Sequence, residues 1–270
     1  MDQHKPMPNF TNSAKIDPFS NALRPLSYPL RRLHLQGKFD AALFQCQDSS
    51  LEVPFWPNLE VLNISFLPAA PSGAWYFRGQ KPEPVTKGFE IGPKHYQPLA
   101  RTARDKEVDS QISIPDCEPV KAQFRFVPVD DVIEPFLAAF ATSTAAMPSL
   151  KEAALWSPLR INLEYFDNTD GTDSSSDDPM VVNLAWGVVY TKPCTPVKFY
   201  SSLGIGCSQA RQLWWRVGNW RPSSQLHQLF RNIRRERFDD VIREEWGDAG
   251  EDLGLAKRHV FEKMRYRSIV

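Results

Sequence analysis

The chain is 270 residues long, 42% hydrophobic and 24% charged, with a mean hydropathy of −0.41, and its 32 Lys plus Arg balance its 32 Asp plus Glu. That is enough apolar content for one large core or two small ones, built without disulfides or metal. The balance excludes a globally basic binder of nucleic acid or of an anionic membrane, and no run approaches the roughly 18 apolar residues of a membrane helix.

Residues 1–15 are polar and contain proline, with no face to bury, and predict a disordered, frayed start. They carry neither a secretory core nor an Arg-rich amphipathic leader, which points to the cytoplasm or nucleus. The four cysteines, Cys46, Cys117, Cys194 and Cys207, are far apart and form no CxxC pair, so reduced and mostly buried thiols are expected.

Three phrases follow one pattern: Leu30-x-x-Leu33-x-Leu35, Leu59-x-x-Leu62-x-Ile64 and Leu150-x-x-Ala153-x-Leu155. Pro29, Pro57 and Pro148 stand one or two residues before them, ending a preceding helix and fixing the backbone that enters each strand. This is the strand pattern of a leucine-rich-type repeat, in which apolar side chains on one strand face meet a helix folded back over them. The first two starts are 29 residues apart and the third lies 91 further on, close to three more steps of about 30.

A proline-dense insert, about 68–118, interrupts the register with Pro68, Pro71, Pro82, Pro84, Pro93, Pro98 and Pro115, which oppose both helix and central strand. It is expected to run over the surface, with Trp75, Tyr76 and Phe77 anchoring it in the core. Phe124 to Phe126 alternate as a strand. Val132, Phe136, Leu137 and Phe140 fall at helical spacing and predict a helix ending before Pro148, capped by Asp130 or Asp131 and packed beside the Leu150 strand.

The block Asp167 to Asp178, DNTDGTDSSSDD, predicts a solvated loop between strands Ile161–Phe166 and Met180–Tyr190. It imitates part of a calcium loop at Asn168, Asp170 and Gly171, but Phe166 stands where the first carboxylate ligand belongs, so the set fails. Ser174 and Ser175 each precede an aspartate by three, a weak phosphorylation pattern. Strands are expected at Val197–Ser201 and Gln212–Val217. Gly204-Ile205-Gly206 lacks the third glycine and following helix of a dinucleotide fingerprint and reads as a turn.

Pro222-Ser223-Ser224 opens a helix with Leu226, Leu229, Phe230 and Ile233 at i, i+3, i+4 and i+7. A further amphipathic helix is predicted to place Phe238, Val241, Ile242 and Trp246 together. The boundaries are then 1–15, a repeat-like α/β domain over 16–235, and a helical tail over 236–270.

The strings Trp56 to Leu62, Pro71 to Gly79, Met147 to Leu155 and Leu213 to Pro222 resemble a group of F-box-type proteins of filamentous fungi, over about residues 25–235. The resemblance implies a substrate-receptor architecture, in which an F-box module docks on the adaptor of a cullin-type ubiquitin ligase and a repeat-like region selects the target. No recognisable F-box module stands before Leu30, so the adaptor is a partner only if an F-box is present elsewhere.

No catalytic, cofactor-binding or metal constellation emerges. The histidines His4, His34, His95, His227 and His259 are scattered, and no phosphate loop or nucleophile elbow is present. The carboxylates Asp130, Asp131 and Glu134 with Trp156 frame an alternative, an enzyme with acid–base carboxylates in a loop-built pocket.

The sequence therefore predicts an α/β fold of irregular leucine-rich-repeat-like strand–helix units ending in an aromatic-rich sheet and carboxyl-terminal helices. Its expected role is non-enzymatic, with a protein partner and neither nucleic acid nor membrane. Side chains on the outer strand face are candidate contacts: Arg32, His34, Glu60, Asn63 and Lys151 or Glu152. Of the neighbours Trp214 and Trp215, one must face away from the core, and Trp215 with Arg216 and Arg221 forms a second candidate patch.

Overall fold

In this computed structural model the described residues are 3, 5–11, 17–45, 56–80, 88–92, 95, 103, 125–162, 181–195, 209–238, 241–247 and 252–266. The chain carries both helices and strands and is α/β. In order they are β1 (Pro8–Asn9), α1 (Pro18–Ser27), β2 (Arg32–Gly37), β3 (Val61–Phe66), β4 (Phe77–Arg78), β5 (Phe89–Glu90) and β6 (Val127–Pro128). Then come α2 (Asp130–Ala146), β7 (Glu152–Asn162), β8 (Val181–Thr191), β9 (Arg211–Arg216), α3 (Ser224–Arg231), β10 (Ile242–Trp246), β11 (Ala256–Lys257) and α4 (Arg258–Tyr266).

The three leucine phrases become neighbouring rungs of one sheet. β2 pairs parallel with β3, and β3 with β7, in a register that aligns Leu33 with Leu62 and Ala153, and Leu35 with Ile64 and Leu155. Each strand begins two residues after the phrase does, so Leu30, Leu59 and Leu150 enter the rungs rather than belong to them. Leu59 and Leu150 are buried there, whereas Leu30 is 39% exposed.

The rest of the sheet departs from that rhythm. β7 and β8 form an antiparallel pair of eleven residues each, joined by residues 163–180, so the expected acidic loop lies outside the described residues. β9 pairs antiparallel with β8, and β10 pairs parallel with β9. The segment around Ile242 and Trp246, expected as a helix, is thus a strand. Its alternating contacts with β9 outweigh a weak helical stripe. The expected strand at Val197–Ser201 and the Gly204–Gly206 turn lie outside the described residues.

Alternation of side chains sorts the sheet into two faces. Leu33, Leu62, Ile64, Phe66, Leu155, Trp186, Val188, Leu213 and Trp215 point to one, where Phe136, Leu137 and Phe140 of α2 and Leu226 and Phe230 of α3 cover them. On the other face Ala154, Trp156, Ala185 and Val189 are covered by Phe261 and Met264 of α4. Gly187 lies opposite Trp156, and a Cβ there would stand 2.5 Å from the Trp156 Cβ and 2.7 Å from the Leu155 carbonyl oxygen. Only glycine lets this large ring sit in the sheet at that point.

The helix over 130–146 forms as expected, but Val129 holds the cap position with no side-chain bond, and Asp130 and Asp131 fill the first turn instead. There they complement the helix dipole. α3 opens on Ser223, whose side chain accepts from Leu226 N at 3.3 Å. α1 did not stand out in the sequence. Its signal is local: Asp17 accepts from the Ser20 amide at 2.9 Å, and Pro18 takes the first helical position.

The described part of the amino terminus is tied down rather than frayed. Gln3 is buried and its Oε1 accepts from Arg125 N at 2.8 Å, while β1 pairs parallel with β5. Trp75, Tyr76 and Phe77 anchor the insert as expected, with Tyr76 Oη donating to the Phe39 carbonyl at 2.6 Å and Phe77 stacking on Phe66. Phe124 lies outside the described residues, and Arg125 and Phe126, expected to form a strand with it, belong to none; the two-residue β6 starts at the next residue and pairs with β4.

Candidate interaction site

The sheet face turned away from α2 and α3 is the surface on which the sequence placed its candidate contacts. On it three rows run across β2, β3 and β7: Arg32, Val61 and Glu152; His34, Asn63 and Ala154; Gln36, Ser65 and Trp156. Arg32 and Gln36 are exposed, His34 and Glu152 half-buried, and Asn63, Ser65 and Trp156 buried. Exposure therefore fades from the β2 side toward Trp156, which stacks on Phe261 of α4 at 5.2 Å.

Asn63 is a correction to the expected surface. At 1% exposure it turns inward, and its Oδ1 accepts from Trp156 Nε1 at 2.8 Å. Its Nδ2 and the Ser65 Oγ are buried with no hydrogen-bond partner among the described residues. The sequence showed a polar residue at an outward position but carried no sign of what would cover it.

Glu60 leads into β3 and works as a clasp. Its carboxylate accepts from Arg31 ahead of β2 and from Lys151 Nζ at 2.7 Å ahead of β7, and its backbone carbonyl accepts from Lys151 N at 2.8 Å. The Lys151 and Arg31 hydrogen bonds hold its carboxyl down at about 2. One carboxylate thus joins the entrances of three neighbouring strands.

Trp215, Arg216 and Arg221 do not form one patch. Trp215 is fully buried on the helix side, stacked on Trp246 at 4.9 Å and edge-on to Phe230 at 4.9 Å, so α3 covers it as its apolar stripe predicts. Arg216 points to the opposite face, 2% exposed, where Nη2 donates to Glu245 Oε1 at 2.7 Å. Arg221 stays exposed, its guanidinium 4.5 Å from the Trp246 ring centre. Alternation separates the first two, and burial removes both from the outer surface.

The carboxylates of the alternative enzyme reading serve the fold. Asp130 Oδ1 accepts from Trp220 Nε1 at 2.6 Å, and Glu134 accepts from the Ser223 amide at 2.8 Å and its hydroxyl at 3.1 Å. These bonds tie the start of α2 to the loop before α3. Trp156 lies across the sheet in the other cluster, so it does not join them.

Sequence reasoning missed the buried arginines. Arg24, Arg125 and Arg211 are each at most 6% exposed. Arg211 Nη1 donates to the carbonyls of Arg231 at 2.8 Å and Ile233 at 2.7 Å, closing the turn after α3. A guanidinium can remain charged inside a protein when carbonyls satisfy its donors, but nothing local in a sequence marks such a site. Cys194 is exposed, unlike the buried thiol expected. Among the described residues no group of three or more His, Cys, Asp or Glu is placed to hold a metal, and no helix is long and apolar enough to cross a membrane.

No family model, curated protein or solved structure matches the chain.

Proposed function

We propose that this chain is a non-enzymatic protein-interaction domain of irregular leucine-rich-repeat-like strand–helix units, akin to the target-recognition region of F-box-type substrate receptors of ubiquitin ligases. The observation that carries the reading is the register of the three leucine phrases as consecutive parallel strands, with α2 and α3 on one side only. Such an arrangement frees the other strand face from core duty where no helix lies over it, and polar strand residues then serve as a recognition surface. Arg32 and Gln36, with the half-buried His34 and Glu152, supply that surface with mixed charge and hydrogen-bonding groups.

The partner is a protein in the cytoplasm or nucleus, and a cullin-type adaptor joins it only through an F-box supplied from elsewhere. The test is affinity capture with the wild-type chain and with an Arg32→Glu, Gln36→Glu double variant whose folding is checked by circular dichroism. A partner retained by the wild type and lost by the folded variant supports the reading. A partner held equally by both, or none held by either, removes it.

A further inference from the structure

Helix α1 is turned inside out. The side chains it buries are polar, Ser20, Arg24 and Ser27, at i, i+4 and i+7. Arg24 Nη1 donates to the Ala42 carbonyl at 3.2 Å and its Nη2 to Asn21 Oδ1 at 2.9 Å, while Trp56 Nε1 donates to Ser27 Oγ. The outer face is apolar instead. Phe19 is 60% exposed even though its ring centre lies 6.4 Å from that of buried Phe39, and Leu26 is 74% exposed. Ala22 is exposed between them, and Leu30 follows just past the helix end. Three of the five exposed large hydrophobic side chains among the described residues thus sit on this one helix and its exit.

We propose that this face pairs two copies of the chain, with α1 crossing α1 of the second copy antiparallel about a two-fold axis. Each Phe19 then meets the Leu26 of the other copy, and each Ala22 meets the other's Leu23.

The polar seat keeps the stripe outward. Rolling α1 to hide Phe19 and Leu26 would take a buried guanidinium away from the Ala42 carbonyl and Ser27 away from Trp56. Leu23, at the inner edge of the stripe, packs against the core cluster on the helix side of the sheet. The face therefore lies apart from the strand face that bears Arg32 and His34.

Symmetry and charge select a second copy as the occupant. Positions 19, 22, 23 and 26 are symmetric about the point between Ala22 and Leu23, so the stripe is its own complement when read in reverse. Small Ala22 at the crossing lets the two axes approach to about 8 Å. The exposed residues of α1, Pro18, Phe19, Asn21, Ala22, Pro25 and Leu26, carry no charge, and the chain's net charge is zero, so two copies meet without repulsion. A lipid surface fits less well. A helix lying on lipid needs cations beside its apolar face, and the one cation of α1, Arg24, points inward.

Area sets the strength. Phe19, Leu26 and Leu30 leave ~300 Å² of apolar surface on each copy, below the ~800 Å² per partner of a standard stable interface. The dimer is accordingly weak, with a dissociation constant of about 100 μM.

The experiment is sedimentation equilibrium of the full chain over about 5–500 μM, a range that brackets this constant. The wild type is expected to pass from monomer toward dimer. Leu26→Glu and Phe19→Lys, each alone, raise the dissociation constant about tenfold or more, because each buries an unpaired charge in the interface. Mixed in equal amounts, the two variants associate again, since antiparallel pairing sets their opposite charges against each other. Val241→Ser, at an exposed apolar residue outside α1, leaves the dimer unchanged.

A wild type that stays monomeric throughout overturns the proposal, as does a Leu26→Glu dimer equal to the wild type or an equal loss on Val241→Ser. A mixture that stays monomeric overturns the antiparallel pairing. Circular dichroism of each variant establishes that it is folded, and Phe19 and Leu26 are exposed enough for substitution without opening the core.

Discussion

The two halves of the sheet are built by different means. On the β2, β3 and β7 side, modest aliphatic side chains repeat at matched positions, and the strands run parallel in step. On the β8, β9 and β10 side the strand directions alternate before β10 turns parallel, and Trp186, Trp215 and Trp246 with buried Arg211 and Arg216 fill the space. A regular ladder writes its spacing into the sequence. A core of a few large rings and charges does not, because each large side chain is placed by unique neighbours distant in the chain.

Substitutions measure that contrast. Trp215→Ala has the largest expected effect, about 4 kcal/mol in urea unfolding, since it removes a fully buried ring packed by Trp246 and Phe230. Leu62→Ala, equally buried in the ladder, should cost about 3 kcal/mol. A larger loss at Leu62 would reverse the ranking and place the main stabilisation in the ladder.

Gly187→Ala tests the junction of the halves. The added methyl meets backbone and Cβ atoms of Leu155 and Trp156, so it should cost about 2 kcal/mol, by overpacking rather than by loss of contact. A neutral result would mean that β7 and β8 adjust more freely than their close approach implies.

Asn63→Ala removes the acceptor of the buried Trp156 N–H and should cost about 1–2 kcal/mol. Retention of full stability, read by thermal melting, would show that this bond does not hold the ladder to the Trp156 cluster.

Glu60→Gln should have the smallest effect, below about 1 kcal/mol, because two of its partners are solvent-exposed ion-pair donors. Its sign depends on pH. The folded carboxyl is held at about 2 against an ordinary value of 4.5, so the ionised clasp stabilises the fold above the ordinary value and fades as pH falls toward 2. Wild type and variant should differ at pH 7 and converge near pH 2. A constant difference across that range would separate the clasp from its charge.

The candidate surface was legible only in part. Alternation alone puts Arg32 and His34 on one face and Leu33 and Leu35 on the other, and the structure agrees. The same rule placed Asn63 outward, and there it failed, because outward from one cluster meant inward to another containing Trp156 and Phe261. For Trp214 and Trp215 it required opposite faces without saying which ring would lie under α3.

What the sequence determined by itself is periodic or adjacent. It determined the three parallel rungs, the helices of α2 and α3 with their apolar stripes, and the aromatic anchor of the insert, because spacing along a chain translates directly into a face of a strand or helix. Tertiary structure alone decided the reversed direction of β8, the strand rather than helix at β10, the cover over Asn63 and the burial of Arg211. Each of these depends on partners far apart in sequence, and the energy of packing or of satisfying a buried charge outweighs the local preference of the residues involved.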